Sequence, residues 1–180
     1  MATELSDQDP NKFRSAFTIG IEEYIEALSY YVFLKEARLV TLQEVQQWLT
    51  FPLEDKKETD SAEKETSLEK ETDLTARQTL IFPLTPVMFV LGVGDLTGEL
   101  MRLSINAVGS GNRDMPFSVL QFIRDVYCSF LRLWPGSSKE LPKKIEIMKT
   151  SLQKIEQVCY TIKVRGSEMS QNMLADIANV

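Results

Sequence analysis

Two pairs of carboxylates stand at helical spacing in this sequence. Glu23 and Glu26 in IEEYIEALSYY are three residues apart, and Asp95 and Glu99 in GDLTGEL are four apart, so each pair projects from one face of a helix. Arg102 and Asn106 continue the second stripe. If the two faces meet, four carboxylates converge, and each like-charge pair at about 4 Å repels by about 4 kcal/mol at an effective dielectric near 20. A cluster of that kind calls for cations. Oxygen-only ligands suit Mg²⁺ or Mn²⁺, which keep several waters and take phosphate oxygens in their remaining positions. Such an ion lowers the pKa of a bound water and neutralises charge on a transferring phosphoryl group, which makes phosphodiester hydrolysis the matching chemistry. Spacing alone leaves a plainer reading open. Acidic pairs on solvated helix faces are common, and an exposed like-charge pair costs only about 0.2–0.5 kcal/mol.

Composition narrows the chemistry further. The 180 residues contain no histidine, which removes imidazole bases, Ser/His/Asp triads and Cys/His nucleophile pairs in cis. Two cysteines, Cys128 and Cys159, cannot build a structural zinc site without histidine. Both are flanked by apolar or aromatic residues and read as buried free thiols in a reducing compartment. Any catalysis therefore falls to carboxylates. A net charge of −6 and a pI near 4.9 argue against wholesale attraction to nucleic acid, so an RNA contact has to be regional. No apolar run reaches the roughly 18 residues of a bilayer span, and the start has no signal-peptide pattern, so the chain reads as soluble and intracellular.

The elements that must position these acids are helices. Apolar residues from Phe17 to Val32 recur at three- and four-residue steps, predicting a helix over 13–34. Thr41 and Glu44 form a capping-box pattern ahead of a short second helix, with Pro52 beyond its end. Residues 54–78 hold nine acids against four lysines and one arginine with almost nothing to bury, which reads as a disordered acidic loop. After Pro83 and Pro86, Val90 to Val108 predict a third helix, interrupted by Gly94 and Gly98. Each of these glycines costs roughly 1 kcal/mol against alanine, a penalty that suggests close packing or ligand access. Pro116 is expected to break the chain before a helix over 117–133. Leu141, Ile145, Met148, Leu152, Ile155, Cys159 and Ile162 form a heptad-like seam. Gly166 is expected to close that helix, and Met169–Val180 to add a short turn or helix. With no sustained period-two alternation, the fold class is all-α, one domain over 1–180 with about five or six helices.

Three stretches, IGIEEYIEALSYY, LTPVMFVLGVGDLTGELMRLSINAVGSGN and CYTIKVRGSEMSQNMLADI, closely resemble the translin-associated factor X branch of the translin family. The likeness runs from about Leu5 to Ala178, interrupted by the acidic loop, and GVGDLTGELMR and KVRGSE are its most specific strings. The resemblance implies an all-helical bundle that assembles with translin into a hollow hetero-oligomeric shell in cytoplasm and nucleus. It implies a Mg²⁺-dependent endoribonuclease (Mn²⁺ being the alternative ion) acting on short or single-stranded RNA, such as the passenger strand of small interfering RNA and tRNA fragments, with DNA a further ligand. The family's catalytic and metal-binding acids fall on Glu23, Glu26, Asp95 and Glu99. Glu22 is adjacent, and the family motif does not require it. The same resemblance implies that a basic stretch and about one and a half to two long helices normally precede the point where this chain begins, so that apolar surface is left uncovered and a partner is needed. A non-catalytic adaptor of translin is the rival reading.

Other features carry two readings each. Arg102, Lys163 and Arg165 are candidates for gripping RNA phosphates, while basic residues in a last helical turn also answer the helix dipole. The heptad-like seam fits a coiled-coil interface or an internal core. Tyr24, Tyr30, Tyr31 and Trp48 suit base stacking or, more commonly at helical spacing, core packing.

Overall fold

The computed structural model describes residues 12, 14–52, 79–133, 136 and 138–165. Among these run five helices: α1 (Arg14–Glu36), α2 (Leu42–Trp48), α3 (Pro86–Gly109), α4 (Met115–Phe130) and α5 (Leu141–Arg165). The described residues are all-α apart from one small ribbon, in which β1 (Thr50–Pro52) pairs antiparallel with β2 (Thr79–Ile81). Three-residue strands are too short to show alternation, so the ribbon left no periodic trace in the sequence. The expectations for 54–78, Gly166 and Met169–Val180 fall outside the described residues.

Local chemistry sets the helix starts. The Thr41 hydroxyl accepts from Glu44 N at 3.2 Å while the Glu44 carboxylate accepts from Thr41 N at 2.8 Å, the reciprocal capping box. Arg38 then grips the same carboxylate with both terminal guanidinium nitrogens, at 2.7 and 2.9 Å. Thr85 caps α3 through Met88 N, and Pro86 occupies the first turn, where its missing N–H is not needed. Pro116 does the same in α4. It therefore lies inside the helix that it was expected to precede, and α4 begins at Met115. The α1 C-terminus turns through Ala37, whose φ of 52° is left-handed and whose N–H bonds Phe33 O at 2.8 Å.

α3 is the central helix and packs against α1, α4 and α5. Ile25, Leu96, Leu100, Ile123, Met148 and Ile155 are fully buried in this core. The seam expected on α5 is internal: Leu141, Met148, Leu152, Ile155 and Cys159 are buried. Of the aromatics, Tyr24 and Tyr30 pack partly buried against the core, while Tyr31 and Trp48 are exposed. Cys159 is buried, but Cys128 is exposed, against the expectation of two buried thiols. It lies between Val126 and Phe130 along α4 but off the buried stripe that these two residues continue.

A candidate carboxylate site between three helices

The site depends on how closely α1 and α3 approach. A Cβ built on Gly92 would lie 2.7 Å from the Glu22 carbonyl oxygen and 2.8 Å from Ile25 Cβ. Only hydrogen fits there. Of the two glycines singled out from sequence, Gly94 makes ordinary contact and Gly98 faces open space. The close approach belongs to Gly92, two residues earlier.

From this contact the acids pair in the same sense along both helices. Glu22 feels Asp95, and Glu26 feels both Asp95 and Glu99. Glu26, Asp95 and Glu99 are half-buried, as the convergence of the two stripes requires. Glu23 is exposed. Glu22 is buried, although it is turned only about 100° from Glu23 round the helix. Spacing did carry a signal for it: Glu22 and Glu26 are four apart, matching Asp95 and Glu99 across the interface.

A third helix supplies the cation. Lys144 of α5 has its stem alongside Gly94, where an added Cβ would meet Lys144 Cβ at 3.5 Å. Its ammonium donates to the Asp95 carboxylate and lies 3.8 Å from Glu22 Oε2. Arg102 pairs with Glu99 one turn along α3 and is largely exposed. Burial is the main force raising the pKa of both Glu22 and Glu26. At Glu22, Lys144 opposes it, and Glu140 and Asp95 reinforce it. At Glu26, Asp95 and Glu99 reinforce it, and Lys144 and Arg102 oppose it.

Four oxygen donors of this kind fit a hard divalent cation in chemistry and in charge. Among the described residues, however, no three acids converge closely enough to hold an ion. Asp95 is paired with Lys144 and Glu99 with Arg102. The other predicted cations sit elsewhere. Lys163 and Arg165 are exposed in the last turn of α5, and Lys163 is roughly 28 Å along that helix from Lys144 at 1.5 Å per residue.

The sequence profile of the Translin family matches residues 1–166. The chain belongs to the Translin family. It is 43% identical over its whole length to translin-associated protein X of Mus musculus and 26% identical over 168 residues to the translin-associated protein X homolog of Schizosaccharomyces pombe. Human translin is 33% identical over 78 residues, 43% of this chain and 34% of its own length. The translin-family chain spans 60% of the length of the mouse relative and 58% of that of the yeast one. Both strings quoted for the resemblance, GVGDLTGELMR and KVRGSE, begin inside the matched region, and the first of them builds the α3 side of the site.

Proposed function

We propose that this chain is a translin-binding subunit with Mg²⁺-dependent endoribonuclease activity on short or single-stranded RNA. The observation that carries the reading is Glu26 set against Asp95 and Glu99 across a glycine-tight helix contact. Family membership supports the partner, since relatives include a protein named for its association with translin. In this reading Glu26, Asp95 and Glu99, with Glu23 or Glu22 completing the set, would draw together to hold the ion. When bound there, such an ion would supply an activated water and charge neutralisation at the scissile phosphate. Arg102, beside Glu99, positions the RNA backbone. Co-purified with translin and supplied with Mg²⁺, the wild type is expected to cut single-stranded RNA, while Glu26→Gln and Asp95→Asn lose activity by at least about a hundredfold. Comparing Glu22→Gln with Glu23→Gln tells which glutamate completes the set. Cleavage by all variants at the wild-type rate would sink the proposal.

A second reading has its own observation. The pairing of Asp95 with Lys144 and of Glu99 with Arg102 leaves two of the four acids already balanced, as suits a non-catalytic translin adaptor. Stable co-purification with translin and no Mg²⁺-dependent cleavage by the wild type favours it.

A further inference from the structure

Four glycines stand in helix interiors among the described residues, and the fold covers two of them. Gly92 is closed off by the Glu22 carbonyl and Ile25, and Gly94 is covered by Lys144 and Phe130, at 3.5 and 3.6 Å from the position of a missing Cβ. At Gly20 and Gly98 a Cβ would meet nothing within 4 Å. Alanine at either position would relieve its helix of glycine's entropic penalty without meeting another element, so nothing inside the fold calls for glycine there. The two open glycines differ in their surroundings. Gly20 is exposed, and it is turned about 120° round α1 from Glu26, away from the side that meets α3. Gly98 shares a face of α3 with Asp95, three residues before it, and Arg102, four after. It is half-buried although the space over it is empty, which makes it the floor of a recess flanked by longer side chains. Arg102 engages Glu99 through one nitrogen and keeps 68% of its side chain exposed, so the rest of its fork is open to a phosphate.

We propose that Gly98 is the place where the sugar–phosphate backbone of a single-stranded RNA lies directly on α3, between Asp95 and the open edge of Arg102. This inference rests on the reading of the chain as a ribonuclease subunit, and it adds the contact that sets how closely the strand approaches the acids. Glycine is the residue that lets a ligand come up against a helix backbone, and its Cα–H groups offer weak contacts to phosphate oxygens. The neighbouring carboxylates repel an anionic strand. Affinity at this point therefore has to come from close contact and from Arg102, and a single methyl on the floor of the recess lifts the strand away from both.

The test compares the full chain, co-purified with translin, as wild type, Gly98→Ala, Gly98→Leu and Gly20→Ala. Binding of a fluorescein-labelled single-stranded oligoribonucleotide is read by anisotropy in EDTA, so that no strand is cut. Gly98→Ala is expected to bind about tenfold more weakly and Gly98→Leu more weakly still, while Gly20→Ala binds as the wild type does. Urea unfolding separates this loss from damage to the fold, because the midpoint of Gly98→Ala is expected to lie above that of the wild type. In cleavage assays with Mg²⁺ the same variant is expected to raise KM and leave kcat unchanged. Wild-type RNA affinity in both Gly98 variants overturns the contact, whether or not RNA is cleaved. Loss of translin from these variants during co-purification also overturns it, since the recess is then a protein interface. Weakened RNA binding by the Gly98 variants, together with no cleavage by the wild type, upholds the contact and defeats only the ribonuclease reading.

Discussion

A carboxyl group at position 26 has two acids of α3 and two cations as its electrostatic neighbours, and burial outweighs the cations. Its pKa is raised, as is that of Glu22. The sign of the consequence follows from linkage. A carboxyl whose folded pKa exceeds its unfolded value contributes stability at low pH, and that contribution is lost as the pH rises through the folded pKa. From the ordinary value of 4.5 upward, deprotonating Glu22 and Glu26 therefore works against the fold. Melting temperatures measured from acid to neutral pH are expected to fall less in Glu22→Gln and Glu26→Gln than in the wild type. Glu44 behaves oppositely. The Arg38 fork and the Thr41 cap pull its carboxyl down to about 2, so its contribution is full above the ordinary value of 4.5 and is lost as the pH falls from there through about 2.

Among the elements, the α1–α3 contact separates glycines that look alike in sequence. Gly92→Ala forces a methyl against the Glu22 carbonyl and Ile25, and overpacking of that kind costs about 1–3 kcal/mol, more than the helix propensity gained. Gly98→Ala meets nothing within 4 Å and is expected to stabilise by about 0.5–1 kcal/mol. Urea unfolding of both variants checks the pair, and two changes of the same sign would contradict the packing. At the end of α1, Ala37→Gly is expected to stabilise by up to about 1 kcal/mol, because φ there is 52°. These contrasts mark what was legible beforehand. Periodicity found every helix described, and the capping box at Thr41 was readable to the residue. The side of α1 that bears Glu22 was not, since three-residue and four-residue acid pairs both suit one face and only the partner helix decides between them. Lys144 left no sequence signal at all: its place depends on where α5 crosses α3, set by contacts far apart along the chain.

For the molecule as a whole, several large apolar side chains are exposed on the helices that surround α3. Ile19 of α1 is 69% exposed and Tyr160 of α5 63%, with Leu34 and Val164 also open. Scattered singly such residues are ordinary, and under the proposed partnership translin covers some of them. A binding partner that covers them stabilises the folded state by mass action. Co-expression with translin is therefore expected to raise the melting temperature, and the rise is expected to grow with translin concentration. An unchanged melting temperature at saturating translin would count against the partnership.

The ribbon of β1 and β2 bears on engineering. Pro52 and Thr79 face each other across its ladder, Phe82 N extends it to Leu49 O at 3.0 Å, and the Gln46 amide clasps Phe82 O and Leu84 N. Pro52 and Thr79 thus form one pinned doorway, and the ribbon takes no part in the contacts that align the acids of α1 and α3. Loop length enters stability only logarithmically. A fluorescent reporter or affinity handle inserted between Pro52 and Thr79 is thus expected to leave the ribbon in place, and an unchanged melting temperature checks it.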